Sequence, residues 1–254
     1  MRWLEEKHAI VTGGSGGIGS AAARALSAAG ARVTLLGRNL EALERIAAGL
    51  GGSASLVLCD VTVPEEVNSA FQHILRTRGL VHILVNAAGA AVTEPFLKTS
   101  LEVWNRLMGV NLTSAFLCSR AAIPSMLEAG WGRIVNIAST AGLKAYPYAS
   151  AYVAAKHGLV GFTKALALEF ARSNITVNAI CPSFTETRLL QESIAKVAGR
   201  TGRSEEEVRA EFAKYNPQGR FVTPEEVAQA VLFLCGPASE AINGHALSIS
   251  GGEV

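Results

Sequence analysis

Tyr152 and Lys156 stand four residues apart in Ser150-Ala-Tyr-Val-Ala-Ala-Lys-His-Gly-Leu159, a spacing that puts both side chains on one face of a helix. Ser150 is a suitable N-cap, and Ala154, Leu159 and Phe162 continue the helical pattern. A phenol titrates near about 10 in water. An ammonium one turn away favours the phenolate and is expected to bring Tyr152 towards working pH, where it can serve as general acid or base. Ser139 closes an earlier apolar run, Arg133-Ile-Val-Asn-Ile-Ala-Ser139, and its hydroxyl would hold a substrate oxygen against that phenol. Tyr and Lys at this spacing also occur in ordinary helices, so the chemistry depends on what else the chain carries.

A second constellation lies near the start. Thr12-Gly13-Gly14-Ser15-Gly16-Gly17-Ile18-Gly19 follows the strand-like His8-Ala-Ile-Val-Thr12 and precedes an Ala-rich helical stretch. Glycines let a backbone turn tightly and approach a pyrophosphate, and the helix N-terminus offers free amides and a positive dipole end. Gly13, Ser15, Gly16, Gly17, Ile18 and Gly19 are therefore candidate dinucleotide contacts. The same residues satisfy Gly-x-Ser-x-Gly, the nucleophile elbow of α/β-hydrolases. That reading is disfavoured because Ser15 follows the first strand, Asp60 is the only aspartate, and the late His245 lies in a strand-like run.

After the second strand-like run come Gly37, Arg38 and Asn39, where an acidic residue would bind the adenosine ribose. Arg38 can instead neutralise a 2′-phosphate, which favours NADP while leaving NAD open. The plainer alternative is an exposed arginine at a helix start. Asp60 and Val61 suit the adenine edge, and Asn86-Ala87-Ala88-Gly89 closes the fourth strand as a further cofactor wall.

Strands must position these groups. Apolar, β-branched runs at 8–12, 31–37, 55–60, 81–86, 133–139, 175–181 and 244–250 alternate with helical patterns. Continuous apolar strands with helices between them predict an α/β fold, a Rossmann-type doubly wound parallel sheet of seven strands with helices on both faces. A single dinucleotide-binding and catalytic domain over 1–254 is expected, with an insertion at about 183–222 after the sixth strand. At the carboxyl edge of the sheet that insertion reads as a substrate lid, the alternative being a solvated helical excursion.

Of the 254 residues, 49% are hydrophobic and 17% charged, with a formal net charge of +2. That is ample for a covered sheet and lacks the basic stripe of a nucleic-acid binder. No apolar run reaches a membrane span, and the acidic residues in the opening stretch are wrong for a signal peptide. Cys59, Cys118, Cys181 and Cys235 stand apart with no metal-ligand spacing, so they read as core thiols with no metal site. A cytoplasmic protein is expected.

Taken in order, the glycine loop, Asn86-Ala-Ala-Gly89, Asn111 in Val110-Asn-Leu-Thr-Ser-Ala-Phe116, Ser139 and Tyr152-Val-Ala-Ala-Lys156 resemble the short-chain dehydrogenase/reductase family, over essentially the whole chain. The resemblance implies a tetrad. Asn111 would hold a water beside Lys156, Ser139 would orient the carbonyl, Tyr152 would transfer the proton, and Lys156 would also bind the nicotinamide ribose. It further implies that Pro182 and Thr187 flank the nicotinamide, with Ser183 replacing the usual glycine, that the Ile180 backbone faces the carboxamide, and that the protein is a homotetramer built through the helices after the fourth and fifth strands.

Within the family, Ser150–Gly161 and the stretch 216–228 look most like 3-hydroxybutyrate dehydrogenases and 3-oxoacyl reductases. In the former, Gln, His and Lys hold the substrate carboxylate, and the matching positions here are Ala91, Ala141 and Ala149. An anion left unpaired in such a pocket would be costly, so reduction of a 3-oxoacyl thioester or similar ketone is expected. Ser139, Ala141, Tyr152, Ser183 and Phe184 are the candidate substrate contacts. The alternatives are NAD-dependent oxidation of a 3-hydroxy acid, 3-hydroxyacyl-CoA or other secondary alcohol, and a non-catalytic nucleotide-binding regulator. Lys196, Arg200, Arg203, Arg209, Lys214 and Arg220 could meet coenzyme A or carrier phosphates, but interleaved Glu205, Glu206, Glu207 and Glu211 favour a solvated surface. His157 reads as structural, and Trp104 and Met108 as core or interface.

Overall fold

The computed structural model describes residues 2–51 and 54–254. Seven strands form one sheet among them: β1 (His8–Thr12), β2 (Arg32–Gly37), β3 (Ala54–Leu58), β4 (Ile83–Asn86), β5 (Gly132–Ile137), β6 (Ile175–Pro182) and β7 (Ala246–Ile249). Their order is β3-β2-β1-β4-β5-β6-β7, and every adjacent pair is parallel. The chain runs outward from β1 to β3, then returns to place β4 beside β1. In sheets of this kind such a reversal marks the crevice beyond the strands' carboxyl ends where ligands bind.

Period-2 alternation within buried strands builds the two layers. Ala9, Val11, Ile83, Val85, Val135 and Ile137 pack on one face, with Leu26 of α1 (Gly17–Ala28), Leu43 of α2 (Leu40–Ala48) and Val231 of α9 (Pro224–Leu234). Their neighbours Ile10, Leu84 and Ile134 turn to the other face, meeting Phe71 of α3 (Pro64–Arg78) and Met126 of α5 (Ser114–Glu128). The four cysteines are buried free thiols.

α4 (Leu101–Met108) passes into α5 through a π-helical turn, Gly109–Thr113, and α6 (Ser150–Glu169) follows β5. Segment 183–222 holds α7 (Arg188–Thr201) and α8 (Glu205–Ala213). Its ends meet, with Val222 N donating to Phe184 O at 3.0 Å and Glu186 N to Val222 O at 2.9 Å. Leu190, Ile194, Val208 and Phe221 give it a small core of its own. Ser204 and Thr223 each form a reciprocal capping box, with Glu207 and Glu226, which fixes the starts of α8 and α9.

Candidate active site

The glycine loop joins β1 to α1 at the reversal point. Gly13 has φ +61°, and a Cβ there would lie 2.9 Å from Ala87 O and from Ala88 N and Cα, so only glycine lets the loop close on the end of β4. Thr12, which the sequence reading passed over, fastens the same junction: its Oγ1 accepts from Ala87 N at 3.1 Å and Ala88 N at 3.2 Å. Gly16 is the exposed N-cap of α1 and supplies no side-chain cap, and the first turn carries no acidic residue. The amide end of α1 thus faces the crevice with its positive pole uncompensated, a fit for a dinucleotide pyrophosphate. Thr187, from segment 183–222, covers Gly17, where a Cβ on Gly17 would come within 2.7 Å of its Cγ2.

Arg38 leaves the end of β2 with its side chain 78% exposed, 3.5 Å from Asp60 Oδ2. Burial alone would raise the Asp60 carboxyl. Hydrogen bonds from the Thr62 hydroxyl and amide, then the Arg38 guanidinium, outweigh it and hold the group below the usual range. The Asp60 side chain is thus committed to its own loop, and Val61 beside it is buried. Asn86 departs from the reading of it as a cofactor wall. Its amide turns inward, with Nδ2 2.8 Å from Asn136 Oδ1, and Asn136 donates on to Thr163 at 2.9 Å. The β5–α6 layer thus supplies a partner for the amide nitrogen while Oδ1 is buried without one among the described residues, and Ala87, Ala88 and Gly89 follow at the carboxyl end of β4.

Asn111, Ser139, Tyr152 and Lys156 converge at the carboxyl ends of β4 and β5. Asn111 sits in the π-helical turn, an irregularity common at functional sites. Its Nδ2 donates to Ala90 O at 2.8 Å and Leu107 O at 3.0 Å. A Cβ on Gly89 would meet Asn111 Oδ1 at 3.0 Å and Lys156 Nζ at 3.8 Å, so Gly89 lies between the two groups. The Ser139 hydroxyl accepts from Ala141 N at 3.1 Å and stands near enough to the Tyr152 phenol to favour its phenolate. Lys156 Nζ lies 5.7 Å from the Tyr152 ring centroid and donates to Ile137 O at 2.8 Å.

The electrostatics differ from the sequence expectation. Burial lowers Lys156 to about 8. Burial also raises Tyr152, against the pull of the Ser139 hydrogen bond, with the neighbouring Cys181 adding slightly. Desolvation of the phenolate is the largest influence on the group, so the environment favours the protonated phenol, opposite to the direction expected from the Lys156 spacing. Cys181, also near Lys156, is itself pushed up to about 11 by burial, against the opposing pull of the Ser139 backbone and Lys156.

The remaining candidates divide. Ile180, whose backbone the resemblance aimed at the carboxamide, spends its carbonyl on Ala138 N at 2.7 Å. Ala141 is fully buried. Pro182 ends β6, Ser183 gives its hydroxyl to Glu253, and Phe184 stacks on Phe212 at 4.8 Å and touches Tyr215 and Tyr146. Of the cations in segment 183–222, Arg203, Arg209 and Arg220 pair with Glu211, Glu186 and Glu226, and Arg200 donates to Thr93 O at 2.8 Å. That agrees with a compensated surface. His157 is exposed and bonds its own helix at Val153 O, and Trp104 and Met108 are only half-buried. Tyr146, Lys144 and Glu253 were not anticipated, since their contacts join segments far apart in the chain.

A glycine cradle at the end of β1, beside a Ser-Tyr-Lys group with a protonated phenol, defines a dinucleotide-dependent oxidoreductase acting on CH–OH groups. Residues 13–253 match the family model described as Enoyl-(Acyl carrier protein) reductase, and the chain belongs to the short-chain dehydrogenase/reductase family. It is 42% identical to a D-beta-hydroxybutyrate dehydrogenase of Rhizobium meliloti, over 97% of this chain and 98% of that protein. It is 38% identical to a 3-oxoacyl-[acyl-carrier-protein] reductase of Aquifex aeolicus, over 98% of each. Among solved structures, a variant actinorhodin polyketide ketoreductase with NADPH superposes with TM-score 0.93 at 38% identity, covering 97% of both chains.

Proposed function

We propose that this protein reduces a neutral ketone, a 3-oxoacyl thioester or a close analogue, with NADP as the preferred cofactor. The observation that carries the reading is the buried Lys156 ammonium, anchored on Ile137 O 5.7 Å from the Tyr152 ring with Ser139 alongside, at the strand ends next to the glycine cradle. Gly13, Ser15, Gly16, Gly17, Ile18 and Gly19 would hold the pyrophosphate at the start of α1, Arg38 the 2′-phosphate, Asp60 and Val61 the adenine side, and Ala87, Ala88, Gly89, Pro182 and Thr187 the nicotinamide side. The nicotinamide supplies the hydride. Ser139 orients the carbonyl oxygen and Tyr152 gives its phenolic proton to that oxygen as negative charge develops. Lys156, anchored on Ile137 O, binds the nicotinamide ribose and returns a proton to Tyr152, with Asn111 holding the water that connects Lys156 to solvent.

Substrate choice is the finer part of the proposal. Ala91, Ala141 and Ala149 offer no donor to a free carboxylate, which favours a neutral acyl group even though relatives with 42% and 38% identity are named D-beta-hydroxybutyrate dehydrogenase. Their names support the other reading, NAD-linked oxidation of a 3-hydroxy acid. A regulator without turnover would have no use for a buried ammonium beside a paired phenol. Segment 183–222, with Thr187 over Gly17 and Phe184 beyond Pro182, serves as the lid of a single domain. Exposed Phe116 and Leu127 on α5 and Leu168 on α6 support a homotetramer built through those helices. Among the described residues no helix is long and apolar enough to cross a membrane, and we place the protein in the cytoplasm.

The test follows absorbance at 340 nm with NADPH and, separately, NADH, against an acetoacetyl thioester, free acetoacetate and simple ketones. Faster NADPH oxidation by the thioester is the expected result. Preference for NADH with the free keto acid would replace this reading with the hydroxy-acid one, and silence on every pair would revive the regulator.

A further inference from the structure

Glu253, in the segment after β7, is a buried carboxylate with no part in the chemistry above. Its side chain is only 2% exposed. Donors from two loops at the site converge on it: Lys144 Nζ lies 2.9 Å from Oε1, the Tyr146 hydroxyl donates to the same oxygen, and the Ser183 hydroxyl donates to Oε2. Lys144 and Tyr146 belong to the loop that begins at Ser139, and the Tyr146 hydroxyl is 2.7 Å from Thr140 Oγ1, one residue beyond that serine. Ser183 follows Pro182 directly.

An ammonium and two hydroxyls on one point are the donor set that recognises a carboxylate. They lie on the aromatic wall of the candidate substrate site. Lys144 Nζ is 5.2 Å from the Tyr146 ring and 5.9 Å from the Tyr215 ring, and Tyr146 contacts Phe184 at 6.3 Å. Burial, and then Glu253 itself, push the Tyr146 phenol above its ordinary value, so it remains a donor. A second anion arriving here would find these donors engaged and a fixed negative charge beside them, in surroundings that screen it poorly.

We propose that Glu253 is an internal anion that fills a cationic subsite built from Lys144, Tyr146 and Ser183, and that it thereby selects neutral ketones over free keto acids. This rests on the ketone-reduction reading and assigns its specificity to a residue outside the tetrad. Glu253 also braces the Ser139 loop, so loss of overall activity alone would not distinguish specificity from support. The discriminating quantity is a ratio between two substrates differing only in charge.

The experiment compares kcat/KM for acetoacetate and methyl acetoacetate with NADPH in the wild type, Glu253→Ala, Glu253→Gln and the Glu253→Ala/Lys144→Met double variant. The acetoacetate to methyl acetoacetate ratio should rise about tenfold or more in Glu253→Ala, the effect of one newly available ion pair. It should rise in Glu253→Gln too, which keeps the shape should the alanine variant fail to fold, and return to the wild-type value when Lys144 is also removed. An unchanged ratio, with activity kept or lost in parallel, overturns the proposal. A separate readout is the thermal midpoint with sodium butyrate against sodium chloride at equal ionic strength: butyrate should raise it in Glu253→Ala and not in the wild type. If the wild type reduces neither ketone, the reduction reading fails. The butyrate comparison then decides the subsite alone, no shift in the alanine variant overturning it.

Discussion

Lys156 Nζ donates to the carbonyl oxygen of Ile137 at 2.8 Å, which ties the middle of α6 to the last residue of β5, two positions before Ser139. Ser139 in turn stands beside Tyr152, one helical turn before Lys156. Strand and helix are thereby joined through the two side chains proposed to move and orient the proton. The ammonium is held by a neutral carbonyl and sits 4% exposed, with no carboxylate pairing it among the described residues, so its burial is only partly compensated.

That arrangement predicts an alkaline stability signature. Burial lowers Lys156 from 10.5 to about 8. Below pH 8 the folded and unfolded chains both carry the proton and the desolvation penalty is fully felt. Between pH 8 and 10.5 the unfolded chain binds more protons, so this group makes stability rise with pH. Lys156→Met removes the contribution. Its stability relative to the wild type should be greatest below pH 8 and decline by up to about 3 kcal/mol towards pH 10.5. Urea unfolding of both proteins at the two ends of that window measures it, and parallel pH dependences would contradict it.

The raised phenol makes a kinetic prediction of opposite form for the two reaction directions. With Tyr152 held protonated by burial, kcat for ketone reduction should stay level through neutral pH and fall only on the alkaline side. Alcohol oxidation, which needs the same group as base, should climb with pH. Initial rates in both directions provide the check. A reductive rate that increases through neutrality would mean the phenol is not the donor.

Among the described residues Arg38 is bound only by the long contact to Asp60, and its side chain lies open to solvent. Arg38→Ala should raise KM for NADPH by roughly ten- to a hundredfold, the worth of one charge-assisted contact, and leave KM for NADH nearly unchanged. Equal losses for both cofactors would assign Arg38 a role in the loop alone.

At Gly13 the positive φ and the Ala87 and Ala88 backbone leave no room for a side chain. Gly13→Ala should lower stability by about 1–3 kcal/mol and weaken NADPH binding together. Thermal unfolding and NADPH fluorescence titration read the two effects. A variant with normal affinity would show that the loop adapts without disturbing the cradle.

Much of this was legible because parallel strands covered on both faces announce themselves as unbroken apolar runs, and β1, β4 and β5 split their neighbouring residues between two layers as period 2 requires. The glycine loop and the Tyr152/Lys156 pair were legible because their geometry is local. The π-helical turn around Asn111 was not, since one extra residue in a helical turn leaves no mark on hydrophobic periodicity. Nor was the balance on Tyr152, which depends on how much burial α6 and β6 impose and not on the distance along the helix to Lys156. Asn86 was read from its place beside the cofactor wall, whereas the demand of a buried amide for partners turned it towards Asn136. Glu253 reaches Tyr146 across 107 positions of sequence, a pairing that only the closed fold creates.

The most direct test of the account is Tyr152→Phe, which removes one hydroxyl and leaves the ring in place. With NADPH and an acetoacetyl thioester, turnover followed at 340 nm should fall by about 10² to 10⁴, while NADPH binds with near wild-type affinity. A variant that binds NADPH and still turns over at close to the wild-type rate would contradict the assignment of Tyr152 as the proton donor, and with it the proposed mechanism.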